Sequence, residues 1–118
     1  MARIVIPIDR IKRNVPISKG IAGDYTNLTE EGGEIVWDCN DEKTLIHISK
    51  GMVSDESVII KAGNGMQGTN DLVITPATQF DTIHIQLDSG RFKNVSGPDA
   101  GKVIIEGKGY SFCVVEME

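Results

Sequence analysis

The sequence predicts an all-β fold: a single-domain antiparallel β-sandwich, immunoglobulin-like or jelly-roll, with about eight short strands and an extended N-terminal arm. Three observations predict it. Apolar residues recur at every second position in short runs, the pattern of strands with one buried face, and helical spacing is hardly seen. Gly, Asn, Asp and Pro separate these runs at intervals of about ten residues, which suits a sandwich. A chain of 118 residues has room for one core and not for two. That one domain is expected to comprise a basic strand and arm, 1–23, and a sandwich body, 24–118.

The elements follow in order. Ile4, Ile6 and Ile8 alternate with Arg3, Val5 and Pro7, and a proline that cannot donate to a ladder places this run on a sheet edge. Val15-Pro16-Ile17 and the stretch from Lys19 to Asp24 read as an extended connection. Ile35, Trp37 and Cys39 share one face of a strand. Leu45 to Ser49 follows after Asn40-Asp41, so these two are expected to form a hairpin. Val58-Ile59-Ile60 is the next strand, ending at Gly63-Asn64-Gly65, and Leu72-Val73-Ile74 a short one closed by Pro76. Thr82 to Leu87 shows the clearest alternation, with Ile83, Ile85 and Leu87 inward. Residues 88–101 are expected to hold a turn, a short extended piece around Phe92 and a longer loop. Val103 to Ile105 and Tyr110 to Met117 read as the last two strands, paired through a Gly107-Lys108-Gly109 hairpin turn. Both faces of the final strand are apolar, which makes it central or covered by a partner. Trp37 precedes Cys39 instead of lying between two bonded cysteines, so the architecture is predicted without the immunoglobulin family.

Charge is distributed unevenly. Residues 1–23 hold Arg3, Arg10, Lys12, Arg13 and Lys19 against Asp9 alone, a net +4 that leaves −9 on the rest of a chain whose total is −5. Such an arm fits an acidic surface, on a neighbouring subunit or on another protein, and removing it is expected to leave the sandwich folded. The overall acidity argues against nucleic acid as the main partner. No apolar run is long enough to span a bilayer and the start lacks the apolar stretch of a signal peptide, so neither a membrane nor secretion is expected, and the chain is expected to act from a cytoplasm.

Reactive groups are few. His47 and His84 sit on the polar side of alternating strands and read as solvent-facing residues. Cys39 and Cys113 lie in apolar strands and read as reduced, buried thiols. The acidic stretch around Glu30 to Glu42 lacks the regular spacing of a calcium loop, and Gly63 to Gly68 lacks the Lys-Ser/Thr and helix of a phosphate loop. No catalytic residue, metal or cofactor is expected. The candidate residues are for protein interaction: Arg3, Arg10, Lys12 and Arg13 in the arm, and Arg91-Phe92-Lys93, an aromatic between two cations. The plainer alternative for the latter is that Phe92 plugs the core edge and the charges are solvated.

The stretch Val58-Ile59-Ile60-Lys61-Ala62-Gly63-Asn64-Gly65-Met66-Gln67-Gly68, then Asp71-Leu72, then Leu87-Asp88-Ser89-Gly90-Arg91-Phe92-Lys93, resembles small head-region proteins of tailed phages and prophages of Gram-positive bacteria. The resemblance covers roughly the second half of the chain and does not extend to the first 50 residues. It implies a capsid decoration (cementing) protein that binds the outside of the major capsid protein shell, assembled in the host cytoplasm and carried on the virion. It transfers no catalytic residue. A homo-oligomer is expected, a trimer on local threefold axes before a monomer. The alternatives are another virion part, in the tail or connector, and a carbohydrate-binding module, for which six aromatic residues are few.

Overall fold

Strands with one apolar face are stable only against a second such face. The computed structural model, described here for residues 3–16, 26–29, 31–49, 57–66, 68, 70–75 and 82–117, supplies that partner as two packed sheets. The strands are β1 (Ile4–Val5), β2 (Ile8–Ile11), β3 (Thr26–Asn27), β4 (Gly33–Val36), β5 (Thr44–Ser49), β6 (Val58–Ile60), β7 (Leu72–Ile74), β8 (Thr82–Ile85), β9 (Lys102–Glu106) and β10 (Ser111–Met117). The first sheet has the order β1-β4-β9-β6-β7; the second has β2-β10-β5-β8, with β3 also on β10. Ile35, Val58, Ile60, Val103 and Ile105 from the first sheet meet Ile46, Ile48, Phe112 and Val114 from the second in one core, joined by Trp37, Tyr110 and Phe92. The all-β sandwich expected from the alternation is thus the fold. Among the described residues no helix is long and apolar enough to cross a membrane.

The pairing is antiparallel except at the N-terminal segment, where β1 runs parallel to β4 and β2 parallel to β10. This segment begins in one sheet and ends in the other. Pro7 lies between its two halves, where no ladder donor is needed, and both halves lie at sheet edges as the proline predicted. Ile6, at the crossing, is 1% exposed and its amide donates to the Glu34 carbonyl at 2.8 Å. The segment is extended, as expected, yet it is not a detachable arm: removing it would strip an edge from both sheets and open the core at Ile6. Beyond β2 the chain turns at Asn14 (φ 63°), with the Val15 amide donating to the Lys12 carbonyl at 3.2 Å. The expected connection from residue 17 to Asp24 and the closure at Pro76 lie outside the described residues.

Both expected hairpins are instead crossings between the sheets. β4 pairs with β9 and β5 with β10, so neither β4–β5 nor β9–β10 is a pair. The reason is the residue each link buries. Trp37 enters the core directly after β4, and its Nε1 donates to Asp41 Oδ1 at 2.8 Å across a 3-10 turn, Asp41–Lys43, capped by Asn40. Tyr110 is fully buried directly before β10, and backbone bonds with Leu28 tie that link to the chain's other end: Gly109 N–H to the Leu28 carbonyl and Leu28 N–H to the Tyr110 carbonyl, both 2.9 Å. An aromatic committed to the interior draws the chain across the sandwich, where a hairpin would keep it in one sheet. Gly107 suits the second crossing: its φ of 155° is one that side-chain-bearing residues rarely adopt, and a Cβ there would press on Val58 Cγ2 at 3.2 Å.

The region around Phe92 also departs from expectation. Residues Ser89–Phe92 form one turn of helix instead of an extended piece. Asp88 Oδ1 accepts the Gly90 N–H at 3.0 Å, and Asp41 Oδ2 accepts the Ser89 N–H at 2.9 Å, so two carboxylates satisfy the turn's first amides. Phe92 then points into the core.

Candidate interaction surface

The sandwich presents two outer faces of different chemistry. On the first sheet, the positions alternating with the core place Glu34, Ile104 and Lys102 at the centre and Val5, Val36 and Val73 around them, these three 48–58% exposed. Charges there are matched: Lys102 Nζ lies 2.8 Å from Glu34, Arg3 lies 3.1 Å from Asp99 and 3.9 Å from Glu34, and Lys61 lies 2.9 Å from Asp71. The Ala62 N–H, and then the Lys61 ammonium, hold the Asp71 carboxyl below its ordinary value.

On the second sheet, register places His84, His47 and Cys113 in one row across β8, β5 and β10. Val115 stands opposite Leu45 and Asp9, and Met117 opposite Ile11. Asp9 is the single charged residue in these rows. The histidine rings meet edge to face with centroids 4.5 Å apart. Burial first, and the neighbouring His84 second, push the His47 imidazole below its ordinary value. Cys113 Sγ donates to Asp9 Oδ2 at 3.8 Å. Cys39 lies on the other side of the sandwich wall, half-buried against the core, where burial raises its thiol pKa; the two cysteines are not joined by a disulfide. Among the described residues no group of three or more His, Cys, Asp and Glu is placed to hold a metal ion.

The seven candidate interaction residues are not one patch. Arg3 belongs to the ion pairs of the first sheet. Arg10, half-exposed at the end of β2, donates through Nε to Glu116 at 2.9 Å and through Nη2 to Asp38 at 2.8 Å, bonds that raise its pKa. The acidic surface that these two arginines meet is therefore the protein's own. Phe92 is 3% exposed and part of the core, so its ring is not offered to a partner; the Arg91 guanidinium sits over it, 5.1 Å from the centroid. Lys93 is half-buried, bridges to Val103, and its charge adds to the bonds that lower Asp41, where donors from Trp37 and Ser89 outweigh the upward push of burial.

Lys12 and Arg13 lie elsewhere. Both are exposed beyond the end of β2, and with Ile11, Val15, Pro16 and Met117 they line a groove of about 510 Å³. A second opening of about 360 Å³ shares Ile11, Lys12 and Met117 and adds Arg10, Lys43 and Asn40. Its one acid among the described residues, Glu116, is held by Arg10 and by the Asn40 N–H at 2.8 Å. The result is an apolar floor with a cationic rim on an otherwise acidic chain. Composition located the cations, but Lys43 and Met117 were missed, because the β2–β10 register brings Met117, and the 3-10 turn Asp41–Lys43 brings Lys43, to residues 11 and 12.

No family model matches the sequence, and the comparisons with curated proteins and with solved structures likewise gave no match.

Proposed function

We propose that the protein is a structural binding module that decorates and stabilises the outer surface of a tailed phage capsid shell, with the major capsid protein as its partner. The observation that carries the reading is the apolar, cation-rimmed groove at the shared end of β2 and β10. A cementing role needs a scaffold that holds such a surface rigidly, and a segment laced through both sheets supplies it here. The resemblance of residues 58–93 to head-region proteins supports the same reading. Single contacts of this size are weak, but many identical copies on a shell act together when each touches more than one subunit, which favours a trimer.

Mixing the purified protein with undecorated shells tests the proposal. Saturable binding and a raised melting temperature of the shell are expected. A shell that takes up no protein would end it, and a stoichiometry of a few copies per particle would move the protein to the tail or connector.

A further inference from the structure

One asparagine in the sequence is followed by glycine, at Asn64-Gly65. It stands just after β6, in a turn that packs on the segment following the Ser89–Phe92 helix. The Gly63 N–H donates to the Arg91 carbonyl at 2.9 Å, which brings the two loops together. Asn64 completes the contact with its side chain. Its Oδ1 accepts the Val95 N–H at 2.8 Å, and its Nδ2 donates to the Ser96 carbonyl at 3.0 Å. This clasp lies at the surface, since Asn64, Met66 and Val95 are all exposed.

We propose that Asn64 is a deamidation site gated by its own clasp, so that a transient parting of the two loops is fixed as a permanent chemical change. The Gly65 amide nitrogen, after losing its proton, attacks Asn64 Cγ; a glycine leaves that nitrogen unshielded, which singles out this asparagine. The Cγ–Nδ2 bond breaks and ammonia leaves with the proton, closing a succinimide ring. Water then opens the ring, its hydroxyl going to a carbonyl carbon and its proton to the ring nitrogen. Opening at Cγ gives aspartate; opening at the main-chain carbon gives isoaspartate, whose backbone runs through the former side chain. Nothing is oxidised or reduced, and water is the sole co-reactant. Bringing Cγ onto the Gly65 nitrogen swings the carboxamide off both Val95 and Ser96, so the reaction is confined to the open state. That state is accessible by local opening, because the clasp consists of exposed hydrogen bonds and no core packing. The product cannot close again in the same way. Aspartate keeps an acceptor for Val95 but sets a carboxylate against the Ser96 carbonyl, and isoaspartate displaces both contacts.

The test incubates the full chain at mildly alkaline pH, folded and in strong urea, and follows the peptide containing Asn64 by mass spectrometry, where each event adds about 1 Da. Reaction at Asn64 is expected in both, at least about tenfold slower in the folded chain. Gly65→Ala is the chemical control. Its Cβ would meet Val95 Cγ1 at 3.5 Å, an ordinary contact, so the fold is kept, while shielding of the nitrogen should cut the rate in urea at least about tenfold. Low urea distinguishes the clasp from the whole sandwich. Parting two loops exposes little surface, so the folded rate should stay nearly flat until the circular dichroism signal begins to fall. Val95→Pro removes the N–H that Asn64 accepts and should raise the folded rate; where that variant does not fold, the urea series decides alone. In the isolated isoaspartate product the Val95 amide should exchange with solvent at least about tenfold faster, with the circular dichroism spectrum unchanged. Equal rates in the folded and unfolded chains, or a folded Val95→Pro that reacts at the native rate, would remove the gate, and so would a rate that climbs with denaturant in step with global unfolding. An unfolded chain that does not react at Asn64 would remove the site, and a product that keeps Val95 protected would remove the lasting release.

Discussion

The two halves of the N-terminal basic segment carry similar charges and do different things. Arg3 and Arg10 sit at the strands and are consumed by the protein's own carboxylates, Asp99 and Glu34 for one, Asp38 and Glu116 for the other. Lys12 and Arg13, two residues further on, stand past the end of the ladder at the rim of an apolar groove. Within the first half, between Arg3 and Arg10, the chain changes sheets at Ile6 and Pro7. A cation in the ladder is aimed by register at neighbouring strands, whereas Lys12 and Arg13 are exposed beyond the end of β2.

The strongest way to break that comparison is to attack the ladder half. Ile6→Asp places a carboxylate at a site that is 1% exposed, between the two sheets. A loss of about 3–5 kcal/mol or outright unfolding is expected in urea denaturation, against a change within about 0.5 kcal/mol for Lys12→Glu. Equal effects from both would mean that the two halves are not distinct. Truncation of residues 1–22 is expected to resemble Ile6→Asp, because it removes β1 and β2 altogether.

A smaller effect sharpens the account of the crossings. Asp41 holds both the Trp37 indole and the Ser89 amide, so Asp41→Ala leaves two donors without their acceptor at the first link between sheets. A loss of about 1–2 kcal/mol at neutral pH is expected. Its folded pKa is depressed, so this stabilisation is present above the ordinary carboxylate range and is lost as pH falls through the lower folded value. The native chain and Asp41→Ala should therefore converge in melting temperature toward acid, and a constant gap would sink the assignment.

Much of the scaffold was legible. Two-residue alternation located the strands at Val58–Ile60, Leu72–Ile74 and Thr82–Ile85, Pro7 marked an edge, and the doubly apolar final strand is indeed internal to its sheet, between β5 and β2. The connections were not legible. Gly107-Lys108-Gly109 and Asn40-Asp41 have the chemistry of a reversal, and reversal within one sheet or across to the other uses the same residues. The burial of Trp37 and Tyr110 decides between them, and that is a property of the assembled core. The surface was legible only in part for the same reason. Local sequence named Lys12 and Arg13, but the pairing of Ile11 with Met117 spans nearly the whole chain and leaves no local trace. The plainer alternative for Phe92, a plug at the core edge, is the one the structure bears out.

The smallest predicted effect concerns the near-neutral row on the second sheet. His47 stands between His84 and Cys113 with its folded pKa depressed, by burial first and by the second imidazole next. A depressed histidine pKa means that the unfolded chain binds the proton more readily. Its contribution is thus fully present above the unfolded value, about 6.5, and declines as pH falls from there toward the folded value. The melting temperature should drop modestly between pH 7.5 and 5.5, by an amount that His47→Gln reduces, since glutamine keeps a polar side chain and does not titrate there. Lys12→Glu with Arg13→Glu should leave this slope intact, because its charges lie at the groove and not in the histidine row. A slope that survived His47→Gln unchanged would place the titrating group elsewhere and remove the row's influence on stability.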